Sequence, residues 1–376
     1  MKQDNKKLQV LIITQYSLPS FKKNMNAYQR NFYGSEHADI TLLVRKKQEI
    51  SDELNGRVTV HQSPVHNRWL YLVYAILLSG YLRLKGMKVF ITEPTGMAAA
   101  GFASKLIFRS FWVLDLWDRP QWRPGQHQEG EKRSLYDRLV FWVMGHADLF
   151  MLSCLPEAIK DVNPPEKRCA HFINALDPGL FSDVIPKRKE GDALELSFGK
   201  SIFDDTVGLS VVIDAAETLV KNNCDFIFHI IGDMASESAV ELIENSLASK
   251  NIVLHGVTTE SRISFFKRIH VGLVPYMDFE DLKYIYPIKV LEHLSQGNPV
   301  IASDLPGLGV MVQDGYNGLL VPPNDAEALA QAVLMLADDY RLWERMAKNA
   351  LESIKKFNAY DKNKKMFNTI KLRSTK

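Results

Sequence analysis

The chain alternates short β-branched and apolar runs with longer helical stretches, and it does so twice. Leu8–Thr14, Ile40–Val44, Val89–Thr92, Phe111–Asp115, Leu149–Ser153 and His171–Asn174 read as strands, with helical stretches such as Ser134–His146 between them. Strands buried on both faces are near-continuously apolar, and parallel strands need a long crossover between them. The pattern therefore predicts a parallel sheet covered by helices. At Pro186–Asp192 the sequence turns polar (PKRKEGD) and predicts a linker. The alternation then restarts with Leu194–Phe198, Phe226–Ile231, Ile252–His255, Val271–Val274, Val300–Ala302 and Leu319–Val321. Ala326–Ala337 and Tyr340–Phe357 read as closing helices.

Most strands of the second series run into a small or turn-forming residue: Gly199, Gly232, Gly256, Pro275. Such residues mark the carboxyl edge of a doubly wound sheet, where ligands bind. The expectation is an α/β chain of two Rossmann-like doubly wound domains facing across a cleft, an arrangement suited to joining two substrates. The predicted boundaries are 1–185 for the first domain, 186–356 for the second, and 357–376 for a tail packing back on the first domain. With 376 residues and 46% hydrophobic content, both domains can fill a core.

Charge and cysteine usage narrow the class. The formal net charge is +2, so no global field selects nucleic acid as a partner. The basic residues cluster locally, at Lys22–Lys23 and Arg45–Lys47, which fits contact with an anionic membrane surface or phosphate-bearing substrates. Cys154, Cys169 and Cys224 are odd in number and form no CxxC pair, so neither a disulfide framework nor a metal cluster is indicated. The N-terminal apolar run is too short for a signal peptide and reads as a first strand. Trp69–Leu82 is apolar but shorter than the roughly 20 residues that span a bilayer. Together these predict a cytoplasmic protein, peripheral on the cytoplasmic face of the membrane. Recurring aromatic and basic residues of the first half (Trp69, Tyr71, Tyr74, Phe108, Arg109, Phe111, Trp112, Phe141, Trp142) are read either as core or as a membrane-facing surface.

The chemistry concentrates in Tyr284–Ser303. Pro287 suits a first helical turn. Lys289, Glu292 and His293 then share one helical face near the N-terminus, where free N–H groups and the dipole attract phosphate. Lys289 adds a point charge, and ionised Glu292 is an acceptor for ribose hydroxyls. Gly297 ends the helix and Pro299 prevents its continuation. In the first half, Asp115-Leu-Trp-Asp118 closes an apolar strand. A carboxylate at that edge suits an acceptor hydroxyl's proton. Asp118 is the preferred candidate and Asp115 the second.

The stretch from Glu292 through Gly297, Pro299, Val300, Ala302 and Ser303 resembles the donor-site signature of GT-B glycosyltransferases of the family 4 type (glycosyl transferases group 1). Asp314–Val321 resembles the family's next segment, and the resemblance covers roughly Leu196–Phe357. It implies a hexosyltransferase-like reaction, retaining and metal-independent. The nucleotide sugar is then a substrate, with no cofactor. The acceptor is a saccharide or lipid-linked hydroxyl in cell-surface polysaccharide synthesis. It also implies donor contacts for Glu292, Lys289, Tyr284, Pro287, His293, Lys200, Gly256 and Val257. The chain departs from the family at Tyr284, where a first Glu is usual, and fits instead a Tyr-x-x-Pro-x-Lys-x-x-Glu variant. It also lacks the usual glycine loop after the first strand and the usual Lys before Gly208. A catalytically degenerate scaffold and a sugar-nucleotide 2-epimerase on the same fold are the alternatives.

Overall fold

The computed structural model describes residues 7–14, 26–45, 54, 56–65, 67–93, 97–116, 135–199, 207–232, 237–255 and 262–375. The chain divides into two compact units. The first is Met1–Asp177 with Ala359–Lys376, and the second is Pro178–Asn358. The divide thus falls ahead of the polar stretch 186–192, which lies inside the second unit. Arg188 of that stretch is buried and caps a helix end, donating to the carbonyls of Leu336 and Ala337 at 2.8 Å each. Binding two orphan carbonyls with one guanidinium explains why a segment of linker-like composition is anchored.

The first unit holds seven parallel strands: β1 (Leu8–Thr14), β2 (Ala38–Val44), β3 (Thr59–Gln62), β4 (Val89–Glu93), β5 (Phe111–Leu116), β6 (Leu149–Leu152) and β7 (Cys169–His171). Their order is β3-β2-β1-β4-β5-β6-β7. The crossing helices are α1 (Asn26–Gly34), α2 (Arg68–Leu84), α3 (Ala98–Phe108) and α4 (Leu135–Met144). Strand β1 is apolar from Val10 to Ile13 because both its faces are covered. Val10 and Ile12 belong to one core cluster with Ile40, Ile91 and Phe367, while Leu11 and Ile13 belong to another with Tyr71, Ala75 and Phe90. The period of two in the strand thus feeds two cores. Strand β3 was not foreseen: its sequence, TVHQ, is polar, as a sheet edge allows. β7 lies earlier than the expected His171–Asn174.

The second unit holds β8 (Leu194–Gly199), β9 (Phe226–Ile231), β10 (Ile252–Leu254), β11 (Val271–Val274), β12 (Val300–Ser303) and β13 (Gly318–Val321). The order β10-β9-β8-β11-β12-β13 is again parallel and reverses direction between β8 and β11. Its helices are α5 (Leu209–Lys221), α6 (Glu237–Glu244), α7 (Arg262–Phe266), α8 (Glu280–Lys283), α9 (Ile288–Leu294), α10 (Pro306–Gly309), α11 (Ala326–Asp338) and α12 (Tyr340–Ile354). A last helix, α13 (Ala359–Ser374), packs on α1 in the first unit. The Phe367 ring there fills the space a Cβ on Gly34 would need, 2.3 Å from it. Two Rossmann-like sheets, each with its own switch point, make up the architecture.

Candidate functional site

In an open α/β sheet the crevice forms where the strand order reverses, which in the second unit is between the carboxyl ends of β8 and β11. Three local features converge there. Gly208, the N-cap of α5, has φ +84°, and a Cβ on it would lie 2.0 Å from the Pro275 carbonyl oxygen just past β11. Only glycine lets the first turn of a 13-residue helix approach the strand exit this closely. The N-cap itself, being glycine, has no side chain to cap that turn, so the helix starts at the switch point with its dipole's positive end.

The second feature is Lys289. Its ammonium donates to the carbonyl of Gly199, the last residue of β8, at 2.5 Å. It also lies 5.0 Å from the Tyr276 ring centre and 6.0 Å from that of Phe198. The cation is thus held at the carboxyl edge by one carbonyl and two aromatic faces. Pro287 is the N-cap of α9 rather than its first helical residue, with extended backbone and no side-chain cap bond.

The third is the loop before α9. A Cβ on Gly307, in α10, would lie 2.2 Å from the Ile285 carbonyl oxygen. The segment Tyr284–Pro287 therefore lies against the 303–309 loop, with Tyr284 half-buried. The two halves of the signature, well apart in sequence, meet through a glycine.

Helix α9 is almost wholly buried, and this separates residues that share its face. Glu292 is 0% exposed. His293 packs inward: its Nδ1 accepts from Asn298 Nδ2 at 3.3 Å, its Nε2 lies 3.3 Å from Ser197 Oγ, and its ring lies 4.2 Å from that of Phe266. A Cβ on Gly272 of β11 would strike that ring at 2.4 Å. His293 thus packs between α9 and the sheet. Lys200, Gly256, Val257 and Asp118 lie outside the described residues.

In the first unit, Asp115 sits at the end of β5 and is 4% exposed. Its carboxylate pairs with the Arg30 guanidinium of α1, which also pairs with Glu93 at the end of β4. Lys362 of α13 and Ser153 line the same small cavity. Burial pushes the Lys362 ammonium down to about 8, with Asp115 opposing the shift and Arg30 adding to it. The buried ion pairs tie the ends of β4 and β5 to α1. Asp115, the second candidate at this strand end, is thus part of a buried ion-pair cluster. Sequence reasoning missed Arg30 and Lys362. Glu93 carried a signal, as a carboxylate ending the apolar run VFITE.

Residues 197–339 match the family described as Glycosyl transferases group 1. The chain is similar to an alpha-D-kanosaminyltransferase of Streptomyces kanamyceticus, 28% identical over 38% of this chain and 36% of that protein. It thus matches little more than a third of that relative's length. It is also similar to the UDP-Gal:alpha-D-GlcNAc-diphosphoundecaprenol alpha-1,3-galactosyltransferase of Escherichia coli, 22% identical over 94% of each chain. Among solved structures, Anabaena HepE in complex with UDP-glucose superposes with a TM-score of 0.74 at 13% identity, covering 97% of this chain and 99% of that one. The described chain therefore has the GT-B fold of two Rossmann-like domains, and its second unit carries the segment similar to glycosyl transferases group 1.

Proposed function

We propose that the protein is a glycosyltransferase that moves a sugar from a nucleoside diphosphate donor to a hydroxyl of a saccharide or lipid-linked acceptor, in cell-surface polysaccharide synthesis. The observation that carries this is the Lys289 ammonium held at the carboxyl end of β8, at the switch point where α5 begins on Gly208. A diphosphate needs both a cation and a set of oriented N–H donors, and the switch point supplies them together. Glu292 is the acceptor for the ribose hydroxyls in this reading, with Tyr284 and Pro287 bordering the donor sugar. UDP-hexoses are the first donors to test, since UDP or a UDP-sugar is named for the galactosyltransferase and for HepE.

In the transfer, the bond between the sugar's C1 and the diphosphate oxygen breaks. A bond from C1 to the acceptor oxygen forms, and the nucleoside diphosphate leaves with its electron pair. The acceptor's proton passes to a carboxylate, for which Asp118 is the candidate, or to the leaving phosphate. The reaction is retaining and metal-independent in this proposal.

The test is a panel of nucleotide sugars incubated with the full chain, read by release of nucleoside diphosphate. Release from one or a few UDP-hexoses, with or without added EDTA, is expected. Tight UDP binding without release from any donor would favour a degenerate scaffold, and interconversion of the free UDP-sugar without release would favour an epimerase.

A further inference from the structure

We infer that the face of the first unit formed by α2, α3 and α4 docks on an anionic phospholipid bilayer. This rests on the reading of the acceptor as lipid-linked, and names the surface through which the protein reaches it.

Helix α2 has two apolar faces. Tyr71, Ala75, Leu78 and Leu82 pack inward. The opposite stripe, Trp69, Leu70, Val73, Leu77, Tyr81 and Leu84, is more than half exposed at every position. Leu106 and Ile107 at the end of α3 are exposed by 63% and 64%, as are Leu139 and Trp142 of α4 by 56% and 55%. The three helices form one layer. The Phe108 ring fills the space over Gly80, and Arg83 Nε donates to the Phe108 carbonyl at 3.1 Å. Phe102 of α3 meets Trp142 of α4 edge to face at 5.6 Å. Arg68 of α2 is near enough to Tyr136 of α4 to act on its ionisation. Soluble monomers rarely leave an apolar surface of this breadth uncovered.

Charge selects the occupant. The charged residues of these helices and of Lys85 and Arg109, which end α2 and α3, are Arg68, Arg83, Lys85, Lys105, Arg109, Arg138 and Asp137. Asp137 is buried, and Lys105 is paired with Asp148. Every exposed charge on the layer is therefore positive. A second copy of this face would bring like charges together. A bilayer offers acyl chains to the Leu and Val side chains, a headgroup zone to Trp69, Tyr81 and Trp142, and anionic phosphates to the arginines. No described helix is long and apolar enough to cross a membrane, so contact lies along the surface.

The experiment floats the full chain with phosphatidylcholine vesicles, with and without phosphatidylglycerol, at low and high salt. The wild type is expected to float with phosphatidylglycerol vesicles and to lose binding as salt rises. Leu77→Ser with Trp142→Ser should lower binding about tenfold or more under all conditions. Arg68→Gln with Arg138→Gln should lower it about tenfold only where phosphatidylglycerol is present. Nucleotide release in vesicle-free solution, measured on the same preparations, should be unchanged by either pair. Vesicle binding without nucleotide release in the wild type would defeat the transferase reading and leave the docking face standing. No vesicle binding by the wild type, or binding indifferent to both pairs, overturns the docking. So does a wild-type dimer that binds no vesicles and that the Leu77→Ser, Trp142→Ser protein cannot form.

Discussion

A Cβ on Gly208 would lie 2.0 Å from the carbonyl oxygen of Pro275, so the first turn of α5 and the exit of β11 are in contact at the switch point. Gly208→Ala must pay a left-handed backbone penalty of about 1–2 kcal/mol and also push the helix start away from β11. The variant is expected to melt about 5 °C lower or more and to bind UDP at least tenfold more weakly. An alanine variant with unchanged melting and UDP affinity would show that the approach is not needed.

In the proposed site Lys289 is the point charge for the diphosphate. Lys289→Gln removes it while keeping most of the stem over Tyr276. UDP affinity should fall about tenfold or more, uridine affinity should hardly change, and the loss should shrink at high salt. Calorimetry with both ligands checks this; equal losses for uridine and UDP would make Lys289 a structural tie to Gly199.

Glu292→Ala should weaken UDP by roughly one to two decades, from about 1–3 kcal/mol of lost hydrogen bonding to ribose. The fold should survive in circular dichroism, because α9 is held by its apolar neighbours Val290, Leu291 and Leu294. If affinity for UDP is unaltered, Glu292 has no ribose role.

Asp115 and Asp118 separate by readout. Asp115→Asn leaves the Arg30 guanidinium with one carboxylate fewer in a buried site, and stability should drop by about 3–5 kcal/mol in urea titration. Asp118→Asn should leave stability alone and lower transfer by about 10²–10⁴-fold. Normal transfer by Asp118→Asn would send the acceptor's proton to the donor phosphate.

The Lys362 ammonium, pushed from 10.5 down to about 8 by burial, gives a signed pH effect. Below about 8 both folded and unfolded chains hold the proton, and the folded state bears the full cost. Between 8 and 10.5 only the unfolded chain is fully protonated, so this group's contribution to stability rises with pH. Lys362→Met should therefore raise the melting temperature at pH 7 and gain much less at pH 10. A gain that does not shrink between those pH values contradicts the burial cost.

What was legible in the sequence was what is contiguous in it. The alternation of strand and helix, and the motif from Tyr284 to Ser303, are local patterns whose geometry follows from backbone periodicity. The Arg30–Glu93–Asp115–Lys362 cluster was not legible, because its members come from α1, β4, β5 and α13, and no spacing links them. Aromatic residues show the same limit. Trp112 is fully buried and Trp69 is 65% exposed, yet both sit in apolar stretches of similar composition. Which face a side chain takes depends on what the rest of the chain brings to cover it. The burial of His293 was hidden for a related reason: it shares a helical face with Lys289, but the near approach of β11 at Gly272 covers its ring.

Helix α13 has a consequence for how the molecule is made. Met366, Phe367 and Ile370 complete a core whose other members precede Asp177, and the whole second unit lies between them in the chain. On the ribosome, the second unit emerges as one uninterrupted piece. The first unit must wait, with Gly34 uncovered, until α13 is synthesised. The earlier-translated half of this protein is therefore the later one to finish folding.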